Sequence, residues 1–203
     1  MGLPEGIKHG LRIDMEYLRK QKTCVLLLSL ILLTQNLAFA QDARLTDIIV
    51  TNTRDDLLVY LNVEGAFREK MKTAILSGVP ATFSFFISLY QNRNFWFDKK
   101  LADLKITHTI KYNNLKKEFS VKRSWENGVP LVTQSFAEAQ KWMAEIDSLK
   151  IVPLNILEKG GHYQIRAKAE LSKLTLPFYL HYVFAFVSLW YFETDLYTID
   201  FIY

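Results

Sequence analysis

The chain has 203 residues, half of them hydrophobic and 23% charged, with a formal net charge of +4 at neutral pH. One cysteine excludes an intrachain disulfide, and so weak a positive balance gives no reason to expect nucleic acid as a partner. Stability has to come from a packed core.

Residues 1–40 read as a cleaved export signal. Arg19, Lys20 and Lys22 precede an apolar run from about Cys24 to Leu33, and Ala38-Phe39-Ala40 supplies a small-x-small cleavage site. The run is shorter than the roughly 20 residues that cross a bilayer comfortably, and it ends in Thr34, Gln35 and Asn36. An uncleaved segment anchored in the inner membrane is the alternative. Because such charged leaders are short, Met15 is a more natural start than Met1. Cys24 follows Gln21-Lys22-Thr23, which does not resemble the approach to a lipoprotein cysteine. Removing residues 1–40 takes away five basic and three acidic residues and leaves a cysteine-free chain of 163 residues with a net charge of +2. That length suits a single domain over 41–203, located in the periplasm or elsewhere in the cell envelope.

In chain order the remainder alternates. "RLTDIIVTN", "DLLVYLNVEG" and "ATFSFFISLYQN" read as three strands, separated by "GAFREKMKTAILSG", where Phe67, Met71, Ala74 and Ile75 fall at helical spacing. In "LKITHTIKY" Leu104, Ile106, His108, Ile110 and Tyr112 face one way and Lys105, Thr107, Thr109 and Lys111 the other. "EFSVKRSW" repeats the pattern with Phe119, Val121 and Trp125. A tight turn at Asn113-Asn114 would set His108 against Phe119 and Ile106 against Val121. "SFAEAQKWMAEIDSL" opens a second helix, with Ser135 and Glu138 in a capping-box arrangement. After a turn at Gly160-Gly161, "HYQIRAKAELSKL" alternates again, and "TDLYTIDFIY" closes the chain with Tyr197, Ile199, Phe201 and Tyr203 on one face. The expected fold is mostly β: an antiparallel, immunoglobulin-like β-sandwich with two short α-helices.

Two membrane readings stand beside it. Residues 174–192 carry no Asp, Glu, Lys or Arg, but a span there would leave Lys173 outside and Glu193, Asp195 and Asp200 inside, against the positive-inside bias. The aromatic C-terminus also resembles the closing strand of an outer-membrane barrel, although two helical segments oppose that architecture.

"NFWFDKKLADLKITHTIKYNNLKKEFSV", "SFAEAQKWM", "YQIRAKAELSKLTLPFYL" and "ETDLYTIDF" together resemble the bacterial exported domain-of-unknown-function family 4390 (DUF4390), over roughly Arg44 to Tyr203. Leu196 stands where that family often carries Trp. The resemblance implies an extracytoplasmic protein, often encoded beside sensor kinases of the nitrogen-regulation type, and it implies no catalytic residue.

Chemistry-bearing residues are sparse. His108 lies on an apolar strand face as a satisfied core histidine would, His162 belongs to a turn and His181 to the aromatic run; none has a serine in nucleophile context. No metal-ligand spacing links them, and Asp55-Asp56, Asp98 and Asp103 read as solvated carboxylates at strand ends. With the tight turn, Lys105 would oppose Lys122 and Lys111 would oppose Lys116, a repulsion that an anionic partner could relieve. Trp96 in "NRNFWFD" would point outward between buried Phe95 and Phe97. These five residues, Trp96, Lys105, Lys111, Lys116 and Lys122, form the expected partner-binding set. The expectation is therefore a non-catalytic binding or accessory module of the cell envelope, linked to an envelope sensor system. It would dock on an envelope protein or an anionic membrane surface, without a cofactor, metal or nucleic acid. The alternatives are an envelope-polymer hydrolase and a membrane-associated or outer-membrane protein.

Overall fold

Strands whose side chains alternate between apolar and polar can satisfy both faces only by packing one of them against a second layer. A computed structural model, which describes residues 43–93, 96–126, 128–171 and 192–203, places them in two antiparallel sheets. The first contains β1 (Arg44–Asn52), β2 (Asp56–Glu64) and β7 (Glu145–Pro153) in the order β1-β2-β7. The second contains β3 (Ala81–Gln91), β4 (Lys99–Asn113), β5 (Glu118–Arg123), β6 (Leu131–Thr133), β8 (His162–Leu171) and β9 (Tyr197–Ile202) in the order β6-β5-β4-β3-β8-β9. The architecture is an antiparallel β-sandwich. Among the described residues both sheets are open, so these strands do not form the closed barrel of the outer-membrane alternative. No helix among the described residues is long and apolar enough to cross a membrane. The apolar run 174–192 lies, except for Phe192, outside the described residues, as does the whole leader.

The core lies between the inward faces. Leu57, Val59, Leu61 and Val63 of β2 meet Phe83, Phe85, Ile87 and Leu89 of β3, all of them buried. On β8 the cross-strand neighbours of Phe85 and Ile87 are Ala169 and Ala167, so small residues make room for large ones. A run of ring contacts, Phe192 to Phe83 to Phe67 to Phe136 to Phe119, joins the second sheet to the second helix and to the segment that leads into the first, with centroids 4.8 to 6.0 Å apart. Helix α1 (Glu69–Leu76) buries Met71, Ala74 and Ile75, three of the four residues whose spacing marks it in the sequence.

Helix α2 (Phe136–Ala144) starts where the capping signal stands. Ser135 Oγ accepts from the Glu138 backbone N–H at 3.3 Å. The Glu138 carboxylate does not reach back to the Ser135 N–H; it takes the Thr133 hydroxyl, and Thr133 Oγ1 accepts from the Ser135 N–H at 3.0 Å. The box is thus closed through Thr133. Replacing Ser135 by Ala should lower stability by about 1 kcal/mol, read as a shift in urea midpoint at unchanged slope.

Two local expectations are corrected. The β4–β5 turn is not a two-residue one. Asn113 Oδ1 accepts from the N–H groups of Leu115 and Lys116 at 3.0 and 3.2 Å, and Lys117 adopts φ 55°, which opens a four-residue connection. His108 consequently pairs with Arg123 and Ile110 with Val121. Because the register moves by an even number of positions, each side chain keeps its face while every cross-strand partner changes. Helix α2 also stops at Ala144 instead of continuing through Leu149, and Glu145 begins β7 opposite Asn62.

Candidate functional site

The outward face of the six-stranded sheet is built around β3, whose Phe86 and Tyr90 project from the pleat. Lys105 and Lys168 are the cross-strand neighbours of Phe86, and Lys105 Nζ lies 5.2 Å from the ring centroid. Tyr90 is held between Lys100, with Nζ at 5.6 Å, and Arg166, whose guanidinium carbon lies 4.3 Å from the ring centre. Around Tyr90 and on β8 the cations are neutralised. Lys100 pairs with Asp103 at 2.8 Å, Arg166 with Asp98 at 3.4 Å, and Lys168 with Glu193. Hydrogen bonds from Lys100 and Ser88 hold the Asp103 carboxyl below its usual range, and the bond to Asp103 in turn raises Lys100.

Toward β5 the face differs. Lys105, Lys111 and Lys122 are exposed and form no ion pair among the described residues. Lys111 stands opposite Ser120 and Lys122 opposite Thr109, so these two lysines are diagonal neighbours, with Thr107 and Thr109 between them and Lys105 along β4. The structure thereby replaces the expected Lys105/Lys122 and Lys111/Lys116 oppositions by a row of lysines set among hydroxyls. Lys116 does not join it, since it lies in the turn and pairs with Glu118 at 3.6 Å. Trp96 is also separate. It precedes β4, whose 15 residues put it roughly 45 Å from the turn. Trp96 is 79% exposed, and Phe97 is 97% exposed, contrary to its expected burial; Phe95 lies outside the described residues.

One buried polar cluster occupies the other side of β4. His108 is fully buried against Phe85; its Nδ1 lies 3.0 Å from the Met143 carbonyl, and its Nε2 accepts from Trp125 Nε1 at 3.1 Å. With Nε2 accepting, Nδ1 carries the proton and donates. Beside it, buried Arg123 donates from Nε to the Trp142 carbonyl at 3.1 Å and pairs with Glu126 at 2.9 Å. Both side chains therefore bind carbonyls left open at the end of α2, where positive charge is also favoured. Burial pushes the His108 pKa down to about 4, against the raising effect of the Met143 bond, and Arg123 lowers it further. Both ring nitrogens are committed. His108 is the satisfied core histidine expected of its strand face, and no lone pair remains for general-base work.

The remaining candidates do not converge. Asp98 and Asp103 are engaged by cations, and the depressed Asp103 is the reverse of a general acid. Asp56 pairs with Lys150 at 2.7 Å. A hollow of about 310 Å³ beside Asp47, Tyr60, Asn62, Lys141 and Glu145 lies between two bulges, where Asp47 and Ser148 take φ of 52° and 59° and Ser148 Oγ bonds Tyr60 at 3.0 Å. Bulges on both edge strands of a three-stranded sheet discourage edge pairing, which accounts for the strain. Among the described residues no group of three or more His, Cys, Asp or Glu side chains could hold a metal ion.

Fold and site thus define an antiparallel β-sandwich whose buried polar cluster is architectural and whose Lys105, Lys111 and Lys122, without an ion pair among the described residues, line one sheet face. Residues 40–200 match the family described as Domain of unknown function (DUF4390), and the chain belongs to that family. No curated protein and no solved structure matches it. Sequence reading sets Arg123 with Lys117 as added charge beside the basic face of the hairpin; the structure instead buries it, 8% exposed, as its parity with Val121 requires.

Proposed function

We propose that the protein is an exported, non-catalytic accessory module of the bacterial cell envelope that docks an acidic envelope protein on the Lys105, Lys111 and Lys122 face. The leader-like residues 1–40 support export. The observation that carries the docking face is three lysines on one flat sheet surface with no carboxylate among their ladder partners. Such a surface presents fixed positive charge and hydroxyl donors at little ordering cost, which favours recognition of an extended anionic surface over a small substrate.

Reversing all three lysines to Glu should reduce partner recovery from native envelopes by about thirtyfold, on the order of 2 kcal/mol for three exposed contacts. The exposed positions should leave the thermal midpoint nearly unchanged. Binding by the unaltered protein should weaken with added salt. Equal recovery of the triple variant would remove this face from any account of binding.

A further inference from the structure

The end of the sandwich that carries Trp96 assembles four separate segments. The β1–β2 turn bonds the loop after β7, with the Leu154 N–H on the Asp55 carbonyl at 2.8 Å. The β3–β4 loop bonds the start of β8 through the Asn92 N–H and the His162 carbonyl at 2.9 Å. The C-terminal residue bonds the same connection, with the Tyr203 N–H on the Gly161 carbonyl at 3.1 Å. Three of these segments project apolar side chains into solvent: Trp96 and Phe97 from the first loop of β4, Ile156 (49% exposed) after β7, and Ile202 (65% exposed) at the C-terminus.

The charges around these side chains are asymmetric. Arg54, Arg93, Lys99 and Lys159 are exposed and form no ion pair among the described residues. Of the neighbouring carboxylates, Asp98 is paired with Arg166 and Asp56 with Lys150; Glu158, which accepts from the neutral Gln91 amide at 3.2 Å, and Asp55 keep their charge and are outnumbered by the four cations. Projecting Trp and Phe ringed by long basic side chains match the interfacial layer of a bilayer, where aromatic rings sit at headgroup depth and Lys or Arg reaches the phosphates. A protein hot spot would instead seat such rings in a pocket at the centre of a flat contact.

We propose that this end of the sandwich seats in the interface of an anionic phospholipid bilayer, with Trp96 and Phe97 inserted and Arg54, Arg93, Lys99 and Lys159 on the headgroups. The lysine face then stands to the side of the membrane, free for the acidic partner, and neither surface depends on the other.

The test follows Trp96 itself, using the full chain. The difference in emission between the wild-type protein and Trp96→Phe isolates its signal from the other tryptophans. With phosphatidylcholine vesicles containing phosphatidylglycerol, that signal should shift to the blue and be quenched by lipids brominated high on the acyl chain. With phosphatidylcholine alone both effects should be weak. Trp96→Ser combined with Phe97→Ser should lower partitioning by about tenfold, whereas the Lys105/Lys111/Lys122 reversal should leave Trp96 quenching intact. A Trp96 signal that neither shifts nor is quenched overturns the proposal, even if the protein sediments with vesicles through another segment. So does equal quenching on neutral and anionic vesicles.

Discussion

Lowering the pH from 7 to about 4 should remove about 3 kcal/mol of folding stability through His108 alone. An unfolded histidine titrates near 6.5, and in the folded protein burial pushes His108 down to about 4. Between these values the unfolded chain binds the extra proton and the folded chain does not. The contribution is therefore complete above pH 6.5 and is lost as pH falls through 4. Protonation is disfavoured by geometry as well as by burial, because a proton on Nε2 would face the Trp125 N–H that now donates to it, with the Arg123 guanidinium nearby. His108→Ala should cost about 3 kcal/mol at neutral pH, since it opens a cavity and leaves the Met143 carbonyl and the Trp125 N–H without their partner. Urea unfolding across the pH range should then show the wild-type and variant curves converging toward pH 4. Parallel curves would mean that His108 does not carry the acid sensitivity. Carboxylates such as Asp103 also lose stabilising interactions in acid, but they do so in both proteins and cancel in the comparison.

The same cluster explains which parts of the fold were legible in the sequence. Strands β1, β2, β3 and β8 follow directly from alternation, because one buried face is enough to fix the period. Ser135 marks the start of α2 because a cap is a local signal, confined to four residues. The end of that helix is not local. Apolar and helix-forming residues continue past Ala144, and the chain changes to strand where the Trp142 and Met143 carbonyls meet Arg123 and His108 from another part of the sequence. The register of β4 on β5 was similarly hidden. Alternation specifies parity, which the structure keeps, whereas the pairing depends on the Asn113 side chain bonding two amides of its own turn. The individual lysines of the docking face could therefore be assigned to the outward surface from sequence, but their neighbours could not. Lys105, Lys111 and Lys122 share a face for the expected reason of period, and Lys111 and Lys122 stand opposite hydroxyls instead of other lysines for a reason of register that only the fold supplies. Short β6 has too few residues for a period to be read at all.

Tyr163 should be the most costly single truncation at the end of the sandwich that carries Trp96, with Tyr163→Ala lowering stability by about 4 kcal/mol. The side chain is fully buried, stacks on Phe201 at 5.6 Å, and its hydroxyl accepts from the Glu158 N–H at 2.7 Å. It thus fastens the β7–β8 connection to β8 and supports β9, the strand that ends in the exposed Ile202. The close fit requires glycine two residues earlier. A Cβ at Gly161 would lie 2.7 Å from the Tyr163 hydroxyl oxygen and 2.8 Å from the Glu158 carbonyl, so Gly161→Ala should cost about 2 kcal/mol by overpacking. These two effects cannot be independent. Once Tyr163 is truncated the two ring contacts at position 161 are gone, and the alanine there should cost about 1 kcal/mol, from its remaining approach to the Glu158 backbone carbonyl at 2.8 Å. A double-mutant cycle by urea unfolding should therefore return a coupling of about 1 kcal/mol. Strict additivity would show that Gly161 is required by its own backbone rather than by the ring beside it.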